Sequence, residues 1–522
     1  MMKVKNKDII SYINKYKIYI FIAIMFFLWL FLRLQNIDWL YPFIDENTHI
    51  LAANEFLEHW TMEYSRAMLV SIMTTLSYYF ADPSWFEEYL FWWRFFSAFF
   101  SALVVIPLFF LSKKVNNPTA YLASILWITS PWAIWVGQEV REYSYYVFFI
   151  LLFILIFINF IEKLNSEKTL NKLSIFYLIC ILWFVFYALL IDNLSTLIVW
   201  VLLIWFVAIY YLIYFVYKYP EDSLDLLKKL FSLSKIYIVW IFLALWAIIA
   251  WALAFVRSSS DISLMPRLNL DFVKVFFSAE APPMHWWYWI WFEYFAIILL
   301  IISLIFAYKH KNKFYFLYFT VFVLGIIFYT FFFARYFEPK YIFYLLPFFI
   351  ILISMSIYSS FAFIKIFFET YKRYSLYAIF SIVFIIIFNP INVFYAVVDN
   401  THWQQITTWN YHYQLENLKK FLDTKDFSWD EIFVNTAFNW FLNLEYWISV
   451  EQMIYYPFDN PKRFEKLENI IKENKKWYLI LDYHRNWERA DWFPHDEWFK
   501  KWWVKLENLF NQDWIQVYKW NH

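Results

Sequence analysis

The recurrence of long apolar runs constrains this chain before any single residue does. Runs near 18–34, 91–111, 118–135, 144–161, 173–190, 194–217, 236–256, 291–307, 314–333, 341–364 and 376–393 approach or exceed the length a helix needs to cross a hydrocarbon layer. A chain of this kind is a polytopic α-helical membrane protein with about eleven transmembrane helices. Its composition agrees, with 62% hydrophobic and only 17% charged residues. The first run follows a Lys-rich start and lacks a small-residue cleavage site, so it reads as a retained helix and not as a signal peptide. The net charge of +1 gives no basic field for nucleic acid. The one cysteine, Cys180, lies inside an apolar run, which rules out an intrachain disulfide.

An odd number of spans puts the termini on opposite sides, and Lys and Arg set which is which. Segments 1–17, 112–117, 162–172, 218–235, 308–313 and 365–375 carry 20 Lys/Arg together, whereas the alternate loops 35–90, 136–143, 191–193, 257–290 and 334–340 carry 7. The expectation is a cytoplasmic N-terminus, the alternate loops outside, and the plasma membrane as location. The long 35–90 loop contains an amphipathic-looking stretch at Ile50–Trp60 and an apolar stretch at Ala67–Phe80, too short to span comfortably and expected to lie in the interface. Beyond residue 394 the composition turns soluble. Glu431–Asn435, Trp477–Asp482 and Trp514–Tyr518 read as strands, and Arg463–Asn474 and His495–Lys501 as helices. The expected organisation is a membrane domain over 1–393 and a small extracytoplasmic α/β domain over 394–522.

Polar clusters gather on the expected outer side. Asp45-Glu46 follows the first span, Gln138-Glu139-Val140-Arg141-Glu142-Tyr143-Ser144 joins the third and fourth, and Ala334-Arg335-Tyr336-Phe337-Glu338-Pro339-Lys340 joins the ninth and tenth. The 257–290 loop adds Arg257, Arg267 and Lys274. Acids and bases at one face suit an anionic, membrane-borne substrate, because Arg offers phosphate a bidentate fork and Lys a point charge. Blander readings stand beside this one. Asp45 fits the N-cap of a helix starting near Glu46, Arg335 and Lys340 fit snorkelling side chains, and Glu139 with Arg141 fits a local ion pair of small value. His49, four residues after Asp45, fits either a metal site with Glu46 or Glu139 or, more simply, a solvent-facing position on a helix.

The Asp-Glu pair after helix one, the Gln-Glu-x-Arg-x-Tyr-Ser run after helix three, the Arg-Tyr-x-x-Pro near the last helices and the soluble C-terminal part resemble the GT-C fold glycosyltransferases. Within them, the group related to dolichyl-phosphate-mannose protein mannosyltransferases and to the lipid A aminoarabinose transferase is the most similar. The resemblance covers roughly residues 18–393. It implies transfer of a sugar from a polyprenyl-phosphate donor to a protein or lipid acceptor on the outer side of the membrane. It also implies Asp45 as the general base and Glu46 as its support or as the ligand of a divalent metal. Arg335, with Arg141 and Lys340, would hold the lipid phosphate, and Glu139, Tyr143 and Tyr336 would line the substrate site. The rival from another class is a flippase or transporter of lipid-linked saccharide. Transporters place ionisable groups near the midplane, whereas here they collect at one face.

The chain also has 32 Trp and 2 Gly, Gly137 and Gly325. Ordinary usage of about 7% would give roughly 36 glycines in this length. An aromatic belt accounts for interfacial Trp, but neither for Trp in the soluble part nor for the missing glycines. Asp38-Trp39, Asn439-Trp440, Asn486-Trp487, Asp491-Trp492 and Asp513-Trp514 stand where Asn-Gly or Asp-Gly would form turns. Trp502 stands where a helix-ending glycine would. Two readings remain: a Trp-rich protein, or UGA codons written as Trp from a source that decodes them as Gly.

Overall fold

The computed structural model describes residues 6–35, 37, 44–61, 68–81, 86–167, 292–332, 339–367, 418–424, 432–435, 453–454, 476–482, 505–512 and 515–521. The chain divides into two compact units, Met1–Ile37 with Thr48–Asp82 and Phe91–Trp403, and Asp38–Asn47 with Pro83–Leu90 and Gln404–His522. The first unit is helical. In chain order its described helices are α1 (Asn6–Leu34), α2 (Ile44–His59, divided between the units), α3 (Met68–Ala81), α4 (Phe86–Leu103, likewise divided), α5 (Val105–Val115), α6 (Asn117–Ile128), α7 (Pro131–Gly137), α8 (Tyr143–Glu167), α9 (Phe292–Lys309), α10 (Lys313–Phe332) and α11 (Leu346–Phe367). A 3₁₀ helix, Pro339–Leu345, leads into α11. Among the described residues four stretches are long and apolar enough to cross a membrane: Tyr16–Leu34, Leu90–Val115, Tyr143–Lys163 and Ile342–Ala362. The chain is an integral membrane protein.

Seven of the expected spans fall on described helices; those at 173–190, 194–217, 236–256 and 376–393 lie outside the described residues. The third differs from expectation. It is bent by 58° between Asn117–Ile128 and Pro131–Gly137. The cause is local: Pro131 has no N–H to continue the ladder, and Ser130 stops the old helix and caps the new one, its Oγ accepting from the Ala133 amide at 3.3 Å. Asn116 and Asn312 restart the chain in the same way at the other end of the bundle. Their Oδ1 atoms accept from Thr119 N at 2.8 Å and Tyr315 N at 3.1 Å. There Asn312 also donates to the Val115 carbonyl at 3.0 Å, and Lys114 pairs with Glu162, fastening α5 to α10 and α8.

The core runs through α1, α5, α6, α8, α10 and α11, with Trp29, Leu108, Trp127, Phe157, Tyr318, Phe349 and Leu352 among its buried members. α11 is buried on nearly all sides, as an apolar helix without a polar face must be. Its serines satisfy themselves: Ser354, Ser356 and Ser359 each donate to the carbonyl four residues back at 2.7 Å. Gly325 lets α10 approach this region, since a Cβ there would lie 2.5 Å from Leu345 Cδ2.

In the second unit a five-stranded sheet has the order β2-β1-β3-β5-β4, from β1 (Ile432–Asn435), β2 (Met453–Ile454), β3 (Lys476–Asp482), β4 (Lys505–Gln512) and β5 (Ile515–Asn521). β1 pairs in parallel with β2 and β3, and β5 runs antiparallel between β3 and β4. Three strands match those read from the sequence to within a few residues. β4 was not expected, because Lys-Leu-Glu-Asn-Leu-Phe-Asn-Gln lacks period-two alternation. The helices expected at 463–474 and 495–501 lie outside the described residues.

Candidate functional site

The polar run after α7 folds tightly. Gly137 ends α7, Gln138 N–H reaches back to the Trp135 carbonyl at 2.9 Å, and Arg141 N–H closes a turn on the Glu139 carbonyl at 2.8 Å before α8 begins at Tyr143. This turn packs against the C-terminal end of α1. Gln138 donates from Nε2 to the carbonyls of both Arg33 and Gln35, each at 3.0 Å, covering α1 carbonyls that have no partner within the helix. Arg94 of α4 closes the same end, donating from Nη1 to the Ile37 carbonyl at 2.7 Å.

Within the turn, Glu142 is the centre of charge. Its Oε2 lies 3.4 Å from Arg141 Nε and 3.7 Å from His49 Nε2, and the carboxylate side chain is 3% exposed. Burial alone would push this carboxyl up. The Arg141 charge, with His49 close by, outweighs it and holds Glu142 well below the usual carboxylate range. Arg141 in turn reaches the Tyr143 hydroxyl, Nη2 to Oη 3.4 Å, and lies 5.5 Å from the Tyr143 ring centroid. His49, Arg141, Glu142 and Tyr143 thus tie α2 to the start of α8 through a buried ionic cluster.

Several expectations change here. His49 is buried and not solvent-facing, and its Nε2 lies beside the Glu142 carboxylate. Arg141 lies against Glu142, its chain neighbour, with Nε 3.4 Å from Oε2. α2 begins at Ile44, so Asp45 sits inside its first turn and not at its cap, a position where the helix dipole favours an acid. Glu46 follows it on the helix and is buried. Among the described residues no three His, Cys, Asp or Glu side chains form a set that could hold a metal, so no step is derived through one. Arg335 and Tyr336 lie outside the described residues, and Lys340 falls in the 3₁₀ helix. The sequence reading passed over Arg33, which ends α1, and Glu142 as a partner of His49.

Comparison with solved structures places this arrangement. ArnT from Cupriavidus metallidurans in the apo state superposes with a TM-score of 0.56 at 9% identity, covering 97% of this chain and 98% of the other. The chain has the GT-C fold. The same ArnT bound to undecaprenyl phosphate gives 0.54 at 10% identity, over 96% of this chain and 97% of that one. An Archaeoglobus fulgidus oligosaccharyltransferase tethered to an acceptor peptide gives 0.52 at 10%, over 90% and 70%. At such identities the likeness is one of fold. No family model and no curated protein matches the sequence.

Proposed function

We propose that the protein is a membrane glycosyltransferase that moves a sugar from a polyprenyl-phosphate donor to a protein or lipid acceptor on the outer side of the membrane. The observation that carries the reading is the GT-C fold over nearly the whole chain, shared with an ArnT that was solved with undecaprenyl phosphate. In this reading about eleven helices cross the plasma membrane, the N-terminus is cytoplasmic, and the strands of the second unit belong to an extracytoplasmic α/β domain. Asp45, on the first turn of α2, takes the acceptor proton, and Glu46 supports it. Arg141 and Tyr143, with Glu139, Arg335, Tyr336 and Lys340, bind the donor and stabilise the phosphate as leaving group, where fixed positive charge contributes most. The His49–Glu142 pair holds the helix that carries the acids.

The test is an in vitro transfer assay with a panel of polyprenyl-phosphate sugars. Turnover is expected with the wild type, and Asp45→Asn, which keeps shape but removes the base, is expected to lose about 10² to 10⁴ in rate. Translocation of lipid-linked saccharide with no transfer for any donor would instead favour the flippase reading. Wild-type turnover by a folded Asp45→Asn would remove Asp45 from its role.

A further inference from the structure

Arg33 ends the first membrane helix and is fully buried. Its Nε donates to Ser101 Oγ at 2.7 Å, and its Cζ lies 3.1 Å from the centroid of the Trp29 ring, which stacks in turn on Trp127. Stacking engages the face of a guanidinium, while its N–H donors lie in the plane. Nη1 and Nη2 are buried and have no hydrogen-bond partner. Glu142 faces Arg141 and His49, and among the described residues no acid lies within ion-pair distance of Arg33.

The surroundings are shaped to admit this side chain. Gly137, one of only two glycines in the chain, lies against it, and a Cβ there would come within 2.7 Å of both Arg33 Nε and Ser101 Oγ. Ser101 is itself held, donating to the Ala133 carbonyl at 3.4 Å. Nε is thereby anchored and the Nη edge is left unused. A buried cation whose donors are satisfied on one side only calls for an anion on the other.

We propose that Arg33 is a phosphate-binding residue, its Nη edge taking the phosphate of a lipid-linked substrate. The inference rests on the membrane-transferase reading for its ligand, since the last turn of a spanning helix lies at the depth of lipid phosphates, and a planar fork matches an oxyanion bidentately. Nη1 and Nη2 are buried in this state, so binding requires the side chains around that edge to move aside.

The test uses the full chain in nanodiscs and measures binding of undecaprenyl phosphate, undecaprenol, inorganic phosphate and phosphatidylglycerol. The wild type is expected to prefer undecaprenyl phosphate over undecaprenol. Arg33→Gln is expected to reduce that preference by about tenfold or more, the loss associated with a charge-assisted hydrogen bond, and Arg33→Lys to reduce it by less. The ratio of the two ligands separates recognition from general damage, and the Lys variant serves if the Gln variant does not insert. An unchanged ratio in either variant overturns the proposal, as does a wild type that fails to distinguish the phosphate from the alcohol. Equal competition by inorganic phosphate or phosphatidylglycerol overturns the lipid-linked substrate as ligand. Binding that depends on Arg33 without sugar transfer would refute the transferase reading alone.

Discussion

Replacing Glu142 by Gln removes one charge from the cluster without changing its shape. Arg141 at 3.4 Å and His49 at 3.7 Å then lose the carboxylate oxygen they share, in a place where Glu142 is 3% exposed. At an effective dielectric near 20 the attraction of the closer pair is roughly 5 kcal/mol. Desolvation offsets part of that in the wild type, but it is not recovered when only one partner goes, since Arg141 stays buried. Breaking a buried pair in this way costs about 3 kcal/mol or somewhat more. Equilibrium unfolding of the purified protein in mixed micelles reads the loss. Glu139→Gln, three residues earlier and half-buried, is the comparison and should cost below about 1 kcal/mol. Removing both charges with Arg141→Met and Glu142→Gln should be milder than the sum of the single changes, because no orphan remains between them. A Glu142→Gln variant within about 1 kcal/mol of wild type, or a double variant as damaged as the sum, refutes the cluster as a coupled unit.

Acid titration checks the same cluster from another side. Glu142 has a folded-state pKa below its unfolded one, so its stabilisation is fully present above the ordinary carboxylate value of about 4.3 and is lost as pH falls through the lower folded value. The stability gap between wild type and Glu142→Gln should therefore be level through neutral pH and shrink only in strong acid, measured by unfolding across a pH series. Gly325→Ala should destabilise by about 1 to 3 kcal/mol through overpacking, because its Cβ meets the fully buried Leu345 at 2.5 Å; Leu345→Ala in the same chain should recover part of the thermal shift. Arg94→Met strands the Ile37 carbonyl and should cost about 2 kcal/mol in the same unfolding measurement.

The helices were legible because membrane burial demands runs of apolar residues, and the strands β1 and β3 because Ile-Phe-Val and Trp-Tyr-Leu-Ile-Leu have no other comfortable place. The importance of the turn after α7 was legible too. Its internal pairing was not: which acid meets Arg141 depends on how five residues fold, and His49 meets Glu142 across 93 positions of sequence. Arg33 was passed over for a physical reason. An arginine at the end of an apolar run ordinarily reaches for headgroups and water, and only packing against Gly137 and Ser101 shows that this one turns inward. The available signal is an arginine at the outward end of the first helix, opposed to the charge bias.

The last prediction concerns what the gene encodes. Glycine does two jobs, close approach and left-handed backbone, and both glycines here do the first while neither has positive φ. Among the described residues the left-handed positions belong to Lys311 and Trp60. Trp60 follows the last residue of α2 with φ 57°, its N–H bonded to the Phe56 carbonyl at 3.1 Å, and its indole is exposed. That is the helix-ending position glycine fills most often, and a side chain there costs roughly 1 to 2 kcal/mol. The β4–β5 hairpin makes the same point. Gln512 pairs with Ile515, so the connection is the dipeptide Asp513-Trp514, and Asp-Gly is among the pairs such two-residue loops favour. The Trp29–Trp127 stack is the contrary observation, a buried contact that a Trp-rich protein would keep. It does not explain a strained helix end without burial or a hairpin loop without glycine. We expect the gene to carry UGA at most of the 32 Trp positions, and the native tryptic peptide Leu506–Lys519 to have the mass of glycine at 514. UGG codons at those positions, or an intact tryptophan in that peptide, would defeat the idea. Glycine at 29 would bear directly on the binding proposal, since it takes away the ring that stacks on the Arg33 guanidinium and frees that side chain to reorient.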